Sequence, residues 1–367
     1  MSDILKYKPT FTDIANWNKK TYSSTGGTRS KKIYINQDDI EFFFKGSKKL
    51  DDGTFKYPKE FWSEIVSSKI GQWLGFYILD YNIAYDVNDE QQIGCLSKSM
   101  VEYSENKLSE GIDYLRGYDS KYNPDTDEYR YTFNFIKQTL EYFNLTECEP
   151  KFIEMLIFDA IIGNSDRHQE NWGFISKFKE TILEIEKEIK TKKSFLGRII
   201  PKLKKFIASS ALYQRIRDEE KNLKPKKSTL INQTLVVQTD FSPIYDSGCC
   251  LGRELLDDRI LKMLTDNQMI EAYVVRKGKS EVRFEEGKKI PHFDLLKNLD
   301  MEYKTVFTKT INRINELYSY EKLKTLIYSI DKELPKSLSK HKLSDIRKDL
   351  MIKLIDLRIK KLNELSE

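Results

Sequence analysis

FIEMLIFDAIIGNSDRHQENWGFIS, residues 152–176, places an Asp, an Arg, a His and an Asn within six positions between two core-like runs. The first run, FIEMLIFDAII, has the apolar density of a buried helix; the last, WGFIS, has the aromatic and β-branched character of a short strand. Polar residues bracketed in this way form either a well-capped turn or a reaction centre. In the first reading Gly163 or Asn164 caps the helix and the rest is decoration. The second reading depends on the polar residues found elsewhere in the chain.

The chain has 367 residues, 39% hydrophobic and 32% charged, enough for two domains or one large two-lobed body. No apolar run reaches the roughly 18 residues needed to span a bilayer. The N-terminal MSDILKYKPTFTD lacks the basic-then-apolar layout of a secretory signal. Cys95, Cys148, Cys249 and Cys250 form no CxxC or CxxxH spacing, and the histidines are only three, so a zinc site is not expected. Reduced thiols and a cytoplasmic location are the expectation, with export as an effector without a signal peptide giving the same pattern. The net charge of +5 is unevenly spread: residues 177–230 carry 16 Lys and Arg against 7 Asp and Glu. Basic character therefore belongs to one segment, and with no helix-turn-helix in view direct nucleic-acid binding is not expected.

The periodicities predict an α+β chain of two lobes. Residues 1–102 read as a small β-rich lobe: the loop SSTGGTRS (23–30), a hairpin from KKIYI and EFFFK, and a helix over EFWSEIVSSKIGQW. Residues 103–367 read as a larger, mostly helical lobe, including YTFNFIKQTLEYF and the terminal DIRKDLMIKLIDLRIKKLNEL. The Lys-rich stretch 177–230 reads as an insertion in that lobe, a helical hairpin or partly disordered loop. Within it FLGRIIPKLKKFIASS is basic and amphipathic. Packing of its apolar face on the large lobe is the favoured reading, and contact with an anionic membrane or a partner is the other.

Phosphoryl transfer from ATP requires a backbone-rich loop over the phosphates, a lysine that reaches them from a strand, a carboxylate that orients the attacking hydroxyl, and magnesium ligands. Each requirement has a candidate, in that chain order. Gly26 and Gly27 allow close backbone approach to an anion, and Arg29 and Lys31 add charge. Lys45 ends the apolar strand FFFK, and Glu64 on the next helix is a candidate partner for it. Asp166 and Asn171 match the D-x-x-x-x-N spacing of protein-kinase catalytic loops, in which the Asp takes the hydroxyl proton and the Asn binds metal. Asp246, in SPIYDSG, adds a carboxylate with a Gly two positions on. Carboxylate and amide oxygens suit a hard cation such as Mg2+. His168 is grouped with the nucleotide-side residues; a loop member bonded to nearby backbone is favoured over a general base.

These segments resemble the HipA-like serine/threonine kinases. GNSDRHQENWGF is similar to that family's catalytic loop, SSTGGTRSKK to its phosphate loop, FFFKGS to its ATP-lysine strand and FSPIYDSG to its metal-binding segment. KGKSEVRFEEGKKIPHF is similar to a stretch in the shorter members, so the likeness spans residues 23 to about 292. The resemblance implies a two-lobed kinase fold that uses ATP and Mg2+ on a protein substrate. It makes Asp166 the catalytic base, Lys45 the phosphate-contacting lysine with Glu64 as its partner, and Asn171 and Asp246 the metal ligands. It also places Ser24 where the family's loop is autophosphorylated. An antitoxin-like or host protein partner fits a toxin or effector setting. Three departures stand out. The chain begins close to the phosphate loop. Arg29 stands where Gln is common and Ser242 where Ala precedes Pro243, and 75 residues separate Asn171 from Asp246. Phosphoinositide kinases share a D-R-H-x-x-N loop, so a lipid or small-molecule kinase is an alternative, as is a catalytically silent nucleotide- or partner-binding protein.

A phosphate on Ser24 would set a dianion against the nucleotide phosphates and eject the loop. Mass spectrometry after incubation with ATP is expected to find phosphate within residues 23–30 of the wild type and none in Asp166→Asn. An unmodified loop in the wild type would refute this.

Overall fold

The computed structural model describes residues 3–20, 32–102, 105–180, 234–276 and 278–365. Ser24, Gly26, Gly27, Arg29 and Lys31 lie outside the described residues, as does most of the basic segment 177–230.

The β-branched and aromatic runs KIYI and EFFFKG form strands β3 (Lys32–Ile35) and β4 (Glu41–Gly46), antiparallel with Ile33 opposite Phe43. Asn36 closes the turn between them, its Oδ1 accepting from the Asp38 and Ile40 amides at 3.0 and 2.9 Å. Adding β1 (Phe11–Asp13), β2 (Asn18–Lys20), β5 (Asn82–Tyr85) and β6 (Ile93–Lys98) gives a six-stranded sheet of order β1-β5-β6-β4-β3-β2. Helix α1 (Glu60–Trp73) lies against β4 and β6. Its apolar stripe predicts one buried face, yet nearly the whole helix is buried. The sheet covers one side, while Ser63 and Trp62 reach the carbonyls of Cys250 and His341 in the second lobe on the other.

That second lobe opens with β7 (Asn106–Glu110), which joins β8 (Gly173–Glu180) and β9 (Thr234–Phe241) in a three-stranded antiparallel sheet. Its helices are α2 (Gly111–Tyr118), α3 (Phe133–Tyr142), α4 (Glu149–Ile162), α5 (Asp257–Thr265), α6 (Asn267–Arg276), α7 (His292–Leu317), α8 (Tyr320–Ser329) and α9 (Asp345–Glu364). Helix α4, the apolar run of the sequence, packs against α7 and α9. Burial of each of its Leu, Ile and Phe side chains stabilises the fold by roughly 1.5–3 kcal/mol.

Pairing of β8 with β9, Phe174 opposite Phe241, removes the difficulty of the 75-residue interval between Asn171 and Asp246. The ladder returns the chain to within five residues of Asp246, whatever lies between its strands. Residues 177–180, which the composition assigned to the insertion, continue β8 because they have a partner strand: Lys177 stands opposite both Asn106 and Gln238. All four cysteines are buried, and none of them is in a disulfide. Among the described residues no helix is long and apolar enough to cross a membrane.

A buried carboxylate ties three strands of the first lobe together. Asp89, in the β5–β6 turn, accepts from Lys19 on β2 at 2.8 Å and from Lys32 on β3 at 2.7 Å. Asp86 beside it accepts from the Tyr34 hydroxyl at 2.8 Å. Burial acts to raise the Asp89 pKa, but the bonds from Lys19 and Lys32 outweigh it and hold the carboxyl at about 2. Its contribution to stability is therefore complete above the ordinary value of 3.8 and disappears as pH falls through about 2. Asp89→Asn is expected to cost about 3 kcal/mol at neutral pH in urea unfolding, chiefly through the loss of the pair with the largely buried Lys32, since the exposed Lys19 can turn to water. The variant should also lose this limb of the acid transition; an unchanged acid limb would count against the anchor.

Candidate active site

Successive strand residues face opposite sides of a sheet. Phe44 of β4 therefore packs with Ile14, Tyr34, Ala84 and Leu96 on one face, and Lys45 is turned to the α1 side. There its Nζ lies 2.6 Å from Glu64 Oε1 and 2.5 Å from Asp246 Oδ1. Lys45 and Glu64 are both buried, so neither is the solvated surface group that its residue type predicts in isolation. The second Glu64 oxygen accepts from the Ser247 amide at 2.8 Å, so one carboxylate fixes both the lysine and the backbone beside Asp246. Asp246 itself has φ of +54°, a left-handed conformation uncommon outside glycine and kept where surrounding contacts enforce it.

The catalytic-loop candidates follow from the end of α4. Gly163 closes the helix at φ +67°, and a Cβ there would sit 2.7 Å from the Arg358 guanidinium. Arg358 in turn donates to the Ala160 carbonyl at 3.0 Å, near the negative end of the helix. Both readings of the opening stretch thus hold at once: Gly163 is a cap, and the polar loop after it has its own organisation. The Asn164 Oδ1 accepts from the Asp166 amide at 3.3 Å, and the Asn171 Nδ2 donates to the Asp166 carbonyl at 2.6 Å. That leaves the Asn171 amide oxygen, the atom a metal would take, outside this bond. His168 accepts the Glu170 amide on Nδ1 at 3.3 Å and gives its carbonyl to the Asn171 amide at 2.9 Å. It is a member of the turn, half-buried and bonded to backbone.

Arg167, which the sequence reading passed over, organises the site. Its Nε and Nη2 donate to the two oxygens of Asp159 at 2.9 and 2.8 Å, a bidentate pair buried at the end of α4. Its Nη1 donates both to the Asn171 carbonyl, at 2.7 Å, and to the Tyr245 carbonyl. One nitrogen therefore holds the residue before Asp246 next to Asn171, which brings the two proposed metal ligands into one neighbourhood. Nη2 also reaches Ser247 Oγ at 3.1 Å. Burial alone would lower the guanidinium pKa; the Asp159 carboxylate overcomes this and raises it. A signal was present: Asp159 is a carboxylate deep in an apolar helix, and such a charge requires a cationic or polar partner. Behind the loop the Tyr131 hydroxyl donates to the Arg167 carbonyl at 3.1 Å and accepts from Trp172 Nε1 at 2.7 Å. Tyr245 donates to the Glu170 carbonyl at 3.0 Å.

The structure thus joins Lys45, Glu64 and Asp246 directly, and joins Asp166 and Asn171 to them through Arg167. A curled sheet with one inner helix, set on a mostly helical lobe with these residues between them, is the two-lobed kinase-like fold. The crystal structure of a Helicobacter pylori proinflammatory kinase, CtkA, is similar to this chain with a TM-score of 0.65 at 17% sequence identity, over 98% of this chain and 97% of that one. No protein-family model matches the sequence, and no curated protein does.

Arg167→Met strands the Asp159 carboxylate in the core and is expected to cost about 3–5 kcal/mol in urea unfolding. Asp159→Asn should cost a similar amount, and the double variant clearly less than the sum. Strict additivity would show that the two side chains do not act as a unit.

Proposed function

We propose that this protein is an ATP- and Mg2+-dependent kinase that phosphorylates Ser or Thr hydroxyls on a protein. One observation supports this above all: the Lys45 ammonium lies between Glu64 and Asp246, with the Asp166–Asn171 loop tied to the Asp246 segment by Arg167. Ion pairs taken out of water contribute little stability for their desolvation cost, and apolar residues of similar volume would hold the lobes together at least as well. Keeping three such charges beside a polar loop suits a site that handles phosphate and metal. The likeness of fold to a protein described as a kinase supports the same reading.

The residues fit Mg-ATP by the chemistry of their donors. Asp246 and Asn171 offer one carboxylate and one amide oxygen, the small hard-oxygen set with which magnesium is held when phosphates and water complete its shell. When bound, Mg-ATP supplies the transferable phosphoryl group and the cation that offsets its charge. Lys45 orients the phosphates, and Glu64 holds Lys45 in place. Asp166 positions the attacking hydroxyl and receives its proton on the carboxylate. Arg167 keeps the loop and the Asp246 segment in register. Residues Ser24 to Lys31 would cover the phosphates.

Transfer of labelled phosphate from ATP, to the chain itself or to proteins of a cell lysate, tests this. Asp166→Ala is expected to lower transfer by about 10²–10⁴ while nucleotide binding persists. Lys45→Met should lose nucleotide binding as well as transfer. Equal transfer by the wild type and Asp166→Ala would refute the assignment.

A further inference from the structure

We infer that Cys249 is a positioning residue for Asp166: its thiol sets the orientation of the carboxylate that receives the substrate proton. This rests on Asp166 being the catalytic base. Cys249 Sγ donates to Asp166 Oδ2 at 2.8 Å, and the Cys249 carbonyl accepts from the amide of the neighbouring Ser165 at 3.3 Å. One residue thus grips the catalytic loop by backbone and by side chain.

The backbone on either side of it is held as well. Two residues earlier, Ser247 is bound through its amide to Glu64 and through its hydroxyl to Arg167. On the next residue, Cys250 Sγ donates to the Ser247 carbonyl at 2.9 Å and lies 3.1 Å from Ser67 Oγ. The Cys250 carbonyl accepts from Ser63 at 3.3 Å, and Leu251 donates to the Ile162 carbonyl at 3.2 Å. Ser63 and Ser67 belong to α1, the helix that carries Glu64. The consecutive cysteines therefore face different ways, one toward the catalytic loop and one toward α1. Cys249 presents its sulfur from a backbone that is pinned before and after it.

An Asp side chain on a loop turns about two torsions, so a fixed backbone does not by itself aim its oxygens. One donor on Oδ2 removes that freedom and leaves Oδ1 for the incoming hydroxyl. A buried cysteine usually acts as a small apolar filler. Here the sulfur meets a carboxylate oxygen, where an apolar filler would leave a charge without a donor.

Three variants of the full chain separate a donor from a filler: Cys249→Ser keeps a donor, Cys249→Val keeps the bulk without one, and Cys249→Ala keeps neither. Phosphate transfer is measured as kcat and KM for ATP, with Tm confirming that each variant is folded. Val and Ala are expected to lower kcat by about ten-fold and to leave KM for ATP within about two-fold, while Ser stays within about three-fold of the wild type. If Val does not fold, the comparison of Ser with Ala decides. Val or Ala turning over like the wild type, or Ser falling as far as they do, overturns the assignment of Cys249 and leaves Asp166 untouched. A wild type that transfers no phosphate overturns both.

Discussion

The Arg167 guanidinium, buried against the two oxygens of Asp159, is the contact on which the rest of the site depends. Five donors in a rigid plane allow one side chain to bind a helix, a loop and a third segment at once. Asp159 supplies the helix, the Asn171 carbonyl the loop, and Tyr245 with Ser247 the segment that leads into Asp246. A lysine would carry the same charge, but its single nitrogen cannot span acceptors this far apart. With the guanidinium removed, a carboxylate would remain deep in α4 and the two carbonyls would lose their common donor.

A second set of charges connects the lobes. Lys45 comes from the sheet, Glu64 from α1, and Asp246 from the strand exit of the helical lobe. The two sets are coupled through Ser247, whose amide is held by Glu64 and whose hydroxyl is held by Arg167. Displacement of α1 would therefore be felt at the Asp166–Asn171 loop through two intervening hydrogen bonds. The cysteine pair adds a parallel connection, with Cys250 bonded to α1 and Cys249 to Asp166.

The fold tolerates a long interruption because of where the interruption enters. Strands β8 and β9 pair along their length, and the aromatic residues at the end of the ladder away from their connection, Trp172, Phe174 and Phe241, pack together with Phe152 of α4. The ladder and this cluster determine where residue 246 stands. Loop-closure entropy grows only slowly with length, so added residues between the strands cost the site little.

Much of this was legible in the chain because it is local. Alternation in KIYI and EFFFK, the apolar density of FIEMLIFDAII and Gly163 at its end are written in short periods, and they gave strands β3 and β4, helix α4 and its termination. The order Lys45, Glu64, Asp166, Asn171, Asp246 could be read from spacing and residue chemistry, as could the expectation that they serve one reaction. What only the tertiary structure decided is which polar groups are buried together. Arg167 binds partners 78 and 80 positions away, and Cys249 meets Asp166 across 83. No local period records such distances, and whether a charge is solvated or buried depends on what covers it. Glu64 could be read as a candidate partner of Lys45, but that its other oxygen would hold the Ser247 amide of the second lobe could not.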